Sequence, residues 1–267
     1  MAELTFSPEE LTARKRLRHD PRPLSYEMLA DIFPKYKQSQ FSTVDRCSSL
    51  VLINRSKIPE GLPHGKKVFV NFMGPSAAGK DSILKKAVKM VQNLKRDIKF
   101  SKVVTATTRE PDTEIRKEDS GSYEYMNNES FIKAKENVRF IETVHQDPYY
   151  YGTPKDAVDA AISSGDIITW IGEIGGSDDV LDYVREHYPN VVTLSVFVLP
   201  TQLTFREFAG NLLKQRKNNP VQRVRRVIKE FASAHKVDIL LLNPFDQSGE
   251  PIQAPEALTQ LLTQIIS

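Results

Sequence analysis

Gly74, Gly79 and Lys80, with four residues between the glycines, are the part of this chain whose types and spacing do the most chemistry. Glycines so spaced let backbone N–H groups converge on phosphate oxygens, and a helix opening at the lysine adds its positive N-terminal end. Ser76, Ala77 and Ala78 complete the loop, and Lys80 would meet the outer phosphates as a point charge. The next position usually carries a Ser or Thr whose hydroxyl faces Mg²⁺. Here it is Asp81, with Ser82 beside it. The Asp81 carboxylate could bind Mg²⁺ directly, bind it through water, or repel a triphosphate; it is the candidate metal-facing group.

A second set of residues offers hydroxyls, a fork of N–H donors and carboxylates. Thr108 and Arg109 follow an apolar run ending near Ala106, which puts them at a strand's carboxyl end. An arginine there is suited to a phosphate or carboxylate. Tyr123, Tyr151 and Thr153 bring hydroxyls that bond phosphate, and Glu142 can accept from an amidine-like base edge. Taken singly, each has a plain structural reading: the tyrosines as core aromatics, Glu142 as a surface acid, Gly152 as a turn.

Elements that would position these groups alternate along the chain. Strands are expected over 67–73, 100–106, 138–144, 166–171, 191–199 and 238–243, and helices over 80–94, 129–136, 155–163, 178–187, 202–215, 220–234 and 255–266. Alternation of this kind predicts an α/β fold with a parallel sheet flanked by helices, ligands lying at the strands' carboxyl ends. Residues 1–62 differ in texture and read as an N-terminal extension of unassigned role. Ser7, Pro8 and Glu10 form a capping-box start for a short basic helix ending near His19, before Pro21 and Pro23. A second short helix is expected over 25–33 and a strand over 49–54. The Arg14–Arg18 cluster reads better as a solvated helix face than as a nucleic-acid contact.

Of the 267 residues, 40% are hydrophobic and 27% charged, which is ordinary for a globular chain. A formal net charge of +3 is too small to argue for nucleic acid or membrane. The single cysteine, Cys47, excludes an internal disulfide and fits a reducing, cytoplasmic setting. No apolar run reaches spanning length, and no signal-peptide order is present at the start.

Read in order, the motifs resemble the guanylate kinase family. Gly74–Lys80, Thr107-Thr-Arg109, Phe140-Ile-Glu142 and Tyr150-Tyr-Gly-Thr153 occur in that family's sequence, followed by Arg223, Glu230-Phe231, Asp238 and Asn243. The resemblance implies a P-loop NTPase-type core over about 66–106 and 154–245, an acceptor-binding insert over about 107–153 and a helical lid over about 202–226, within a domain of 63–267. It implies ATP and Mg²⁺ as cofactors and GMP or dGMP as acceptor. Arg109, Tyr123, Tyr151 and Thr153 would hold the acceptor's phosphate beside Thr108, Glu142 and Glu173 would face the guanine edge, and Asn243 the donor's base. Lys80, Arg216 and Arg223 would neutralise the transferring phosphoryl. Partners are expected to be small nucleotides, with no nucleic acid and no membrane.

Four departures qualify the resemblance. Asp81 replaces the metal-side hydroxyl, in a Gly-Lys-Asp-Ser loop that also resembles ribose 1,5-bisphosphate kinases. Asp112 stands where the family has a second phosphate-binding arginine, leaving Arg116 as the nearby cation. Trp170-Ile-Gly-Glu-Ile-Gly-Gly176 loses the first acid of the family's strand end, and 214–220 departs from its lid sequence. Two alternatives stay open: a kinase of another phosphorylated acceptor, such as ribose 1,5-bisphosphate, and a catalytically silent protein-binding module.

Overall fold

The computed structural model describes residues 6–44, 50–58, 63, 65–111, 121, 123–146, 148–215, 220–244 and 253–266. In chain order the elements are α1 (Pro8–His19), α2 (Tyr26–Ile32), β1 (Phe41–Thr43), β2 (Val51–Asn54), β3 (Val68–Met73), α3 (Lys80–Leu94), β4 (Phe100–Lys102) and β5 (Ala106–Thr107). Then follow β6 (Glu124–Tyr125), α4 (Asn128–Glu136), β7 (Phe140–Gln146), β8 (Tyr149–Pro154), α5 (Lys155–Ser164), β9 (Ile167–Trp170) and α6 (Ser177–His187). The chain continues through β10 (Val192–Thr201), α7 (Phe205–Gln215), α8 (Pro220–Ser233), β11 (Ile239–Pro244) and α9 (Ala254–Ile265).

Two compact units share these elements. The first gathers the described residues within 1–64, 72–96 and 195–267, the second those within 65–71 and 97–194. In the first unit β11 pairs in parallel with β10 and antiparallel with β2, and β2 pairs antiparallel with β1. Strand β11 is an apolar run, Ile239 to Leu242, that suits a position between two neighbours. The buried Ile83, Leu84, Ala87 and Val91 of α3 recur at helical spacing. Helix α9 buries Leu258, Leu261, Leu262 and Ile265 in the same unit, and each such side chain contributes about 1.5–3 kcal/mol.

Residues before 63 therefore supply strands to the first unit's sheet as well as helices. Helix α1 opens as its sequence predicts: Glu10 N donates to Ser7 Oγ at 3.1 Å, and Ser7 N donates to Glu10 Oε2 at 2.7 Å. Tyr36, fully buried, donates its hydroxyl to the Phe231 carbonyl, and Ser39 Oγ donates to the His235 carbonyl at 2.9 Å.

In the second unit β9 pairs in parallel with β3 and with β4, above a core that includes Phe69, Ile168, Trp170, Val158 and Val184. A separate four-stranded sheet has the order β6-β5-β8-β7. Two expectations change here. The run 100–106 is two strands, since β4 ends at Lys102 and β5 starts at Ala106 in the other sheet. The sheet is also not purely parallel, because the 49–54 region enters antiparallel to β11. Short loops and parallel pairing cannot coexist, so a strand supplied from outside the βαβ alternation is free to run the other way.

Candidate active site

The phosphate loop belongs to the first unit. Strand β3 ends at Met73, and the chain turns through Gly74 with φ 143°. A Cβ at Gly74 would meet the Val198 carbonyl oxygen at 2.7 Å, so both conformation and space exclude a side chain. Ala78 N donates to the Pro75 carbonyl at 3.1 Å, and Gly79, left-handed at φ 83°, caps α3. Lys80 Nζ curls over the loop onto the carbonyls of Gly74 and Pro75, the latter at 3.0 Å. Ser76 and Ala77 are half-buried, as is Ser82, and Asp81 is exposed on the first turn of α3. That end of the helix favours its negative charge. Asn243 is fully buried and donates from Nδ2 to the Ala78 carbonyl at 2.9 Å, holding the loop from β11. Arg216 and Asp112, like Arg116 and Cys47, lie outside the described residues. Arg223 sits on α8.

The acceptor-side residues are brought together in the second unit by its small sheet. Thr107 pairs with Tyr151, and Glu142 with Thr153, in antiparallel register. Thr108 is stitched to β8: its N donates to the Tyr150 carbonyl at 3.1 Å, and its Oγ1 accepts from Tyr150 N at 3.0 Å. The Arg109 guanidinium, largely buried, lies 5.3 Å from the centroid of the Tyr123 ring, and Tyr123 meets Tyr151 edge-on at 6.4 Å. A ring face under a guanidinium keeps its fork oriented.

Glu142 is the electrostatic centre of this cluster. Thr153 Oγ1 donates to Glu142 Oε1 at 2.7 Å, and among the described residues Oε2 is buried without a partner. Burial pushes the carboxyl up to about 7, against the pull of the Thr153 hydroxyl and with smaller help from the charges of Glu173 and Asp179. Gly176 makes room for it, since a Cβ there would lie 2.8 Å from Oε2. Glu173 is held by Gln146, whose Nε2 donates to Oε1.

Gln146 is absent from the sequence-level candidates. Its signal is alternation, because 142, 144 and 146 fall on one face of β7. Among the described residues both side-chain ends of Asn71 and Nε1 of Trp170 are buried without hydrogen-bond partners, and a Cβ at Gly172 would lie 2.5 Å from the Trp170 ring. No group of three or more His, Cys, Asp or Glu able to hold a metal exists among the described residues, and no helix among them is long and apolar enough to cross a membrane.

The guanylate kinase family model matches residues 66–248, well over half of the chain. The chain belongs to the guanylate kinase family. Similar proteins include guanylate kinases of Aster yellows witches'-broom phytoplasma, 28% identical over 67% of this chain and 79% of its own length, and of Carboxydothermus hydrogenoformans, 30% identical over 67% and 81%. The guanylate kinase of Trichormus variabilis is 27% identical over 78% of this chain and 96% of its own. Among solved structures, a guanylate kinase from Anaplasma phagocytophilum resembles the fold with a TM-score of 0.51 at 16% identity, covering 75% of this chain and 86% of that one. The span matched to the guanylate kinase family takes in the loop from Gly74 and the Glu142 cluster alike, and begins after β1 and β2.

Proposed function

We propose that the protein transfers the γ-phosphoryl group of ATP to GMP, or to dGMP, giving the diphosphate. The observation carrying this reading is Glu142, a buried acid with one oxygen on Thr153 and the other without a partner among the described residues. A guanine edge presents a ring N–H and an exocyclic amine, two donors that such an acid accepts in its ionised form. Arg109, Tyr123, Tyr151 and Thr108 would hold the acceptor's phosphate; Thr153, expected with them, is fully buried with its hydroxyl on Glu142 and would orient that acid instead, and Gln146 would keep Glu173 beside the base. The loop from Gly74 to Ser82 would hold the ATP phosphates, and Asn243, expected at the donor's base, is fully buried and would brace the loop's backbone through Ala78 instead. Lys80, Arg216 and Arg223 would offset the charge of the moving phosphoryl, so positioning and electrostatics carry the rate.

Mg²⁺ fits the donor set at the loop. Asp81 offers an exposed carboxylate and Ser82 a hydroxyl, both hard oxygen ligands, and an ion carried in with triphosphate needs no three-carboxylate cage. Asp81 and Ser82 would hold it, and the ion supplies charge neutralisation between phosphates when bound. The same Asp81 favours a second reading, in which the acceptor is another phosphorylated compound.

One panel tests both: full chain, Mg²⁺-ATP, and GMP, dGMP, AMP, UMP or ribose 1,5-bisphosphate, with ADP release measured. Fast turnover with the guanine monophosphates is expected. Turnover with the sugar bisphosphate alone overturns the reading, and silence across the panel favours a protein-binding module.

A further inference from the structure

In the basic stretch of α1, Lys15, Arg16 and Arg18 are exposed, as a solvated helix face requires, and Arg14 is half-buried. Between α1, α7 and α8, all in the first unit, lies a cavity of about 650 Å³. Arg14, Arg18 and His19 reach it from α1, Arg206 from α7 and Arg225 from α8. Arg14 and Arg18 are four residues apart and so share one helix face. Phe205, Leu213, Val224 and Ile228 line it with apolar surface, and Leu213 is 45% exposed.

Three observations point to a ligand. First, among the described residues none of the four arginines has a carboxylate partner, whereas nearby Arg22 is paired with Asp20 and Asp31. Arg14 lies over the Phe6 ring, 5.8 Å from its centroid. Second, Nε of Arg225 is buried without a hydrogen-bond partner among the described residues, a state that is costly unless something accepts from it. Third, Gly210 lies inside α7, where glycine disfavours helix, yet a Cβ there would meet nothing within 4 Å. Protein packing does not demand that glycine; it keeps the cavity wall open.

We propose that this cavity binds a phosphomonoester carrying an apolar alkyl or aryl body. Several guanidiniums match the three oxygens of a phosphate dianion better than the two of a carboxylate. Among the described residues the lining holds no carboxylate, amide or hydroxyl to pair a nucleobase edge, while a chain or aryl ring covers Leu213 and Ile228. The volume is that of a small-molecule site rather than a peptide groove. Arg223 lies two residues from Arg225, about 200° around α8, so this site is separate from the arginine assigned to the donor.

Titration calorimetry of the full chain with dodecyl phosphate below its micellar concentration tests the site. One probe per chain should bind with a dissociation constant of about micromolar order. Inorganic phosphate and dodecanol should each bind at least tenfold more weakly. The Arg14→Ala/Arg18→Ala double variant should lose at least tenfold in affinity. Gly210→Leu, which fills the cavity with a better helix former, should melt no lower than the parent and lose the probe. Equal affinity in parent and variants, no binding at all, or ATP competing away the probe would each overturn the site. Binding to phosphatidic acid vesicles without binding of the monomeric probe would overturn it too, making α1 a lipid-headgroup surface instead.

Discussion

Glu142 shows how one residue's environment sets a pH dependence. Burial raises its carboxyl to about 7 from an ordinary value of 4.5. Between those values the folded chain binds more protons than the unfolded chain, so stability is full below about 4.5 and falls as pH rises toward 7. Glu142→Gln removes that loss. The variant should gain on the order of 2 kcal/mol over the parent between pH 5 and pH 8, as read by denaturant melts. A constant difference across that range would remove burial as the cause. Ligand binding has the opposite pH dependence, because guanine's donors need the ionised acid. The KM for GMP should therefore fall as pH rises from 6 to 8 in the parent and stay level in Glu142→Gln.

At the scale of elements, the strand–loop–helix unit around Gly74 depends on a close approach as well as on a turn. Gly74 has φ 143°, and its missing Cβ would sit 2.7 Å from the Val198 carbonyl oxygen of β10. Gly74→Ala forces loop and strand apart, which should cost about 1–3 kcal/mol of stability. Because the loop's N–H groups then lose their common target, ATP binding should weaken more than GMP binding. Equilibrium binding of each nucleotide checks this, and equal losses would show a general loosening rather than a local one. Asn243 matters through the same unit, since its amide on Ala78 braces the loop from β11.

For the molecule as a whole, the described residues within 6–58, all before the matched family span, are built into the first unit. Strand β2 covers β11 through Ile53, Leu52 and Val51, and Tyr36 is anchored on Phe231. Removing residues 1–58 would expose the edge of an apolar strand and the surface under Tyr36. Open edges of that kind template association. The truncated chain should scatter light and melt lower than the parent; a monodisperse truncated chain with unchanged melting would show that the segment is dispensable for folding.

Much of this protein is written in local spacing. The loop from Gly74 to Lys80, the Ser7–Glu10 cap and the helix over Lys80–Leu94 depend on dihedral preference and on neighbours three or four residues away, and so are legible in the chain itself. So is family membership, carried by short motifs in a fixed order. The pairing of β7 with β8 is different: it brings Thr153 onto Glu142 across a register that no short window encodes. Gln146 on Glu173, the strand from the first sixty residues against β11, and the arginines of three helices around one cavity are long-range as well. Sequence determined which groups are available and which elements carry them. Tertiary structure decided which groups meet and which lose water, and loss of water is what raises Glu142 and leaves Arg225 Nε without a partner among the described residues.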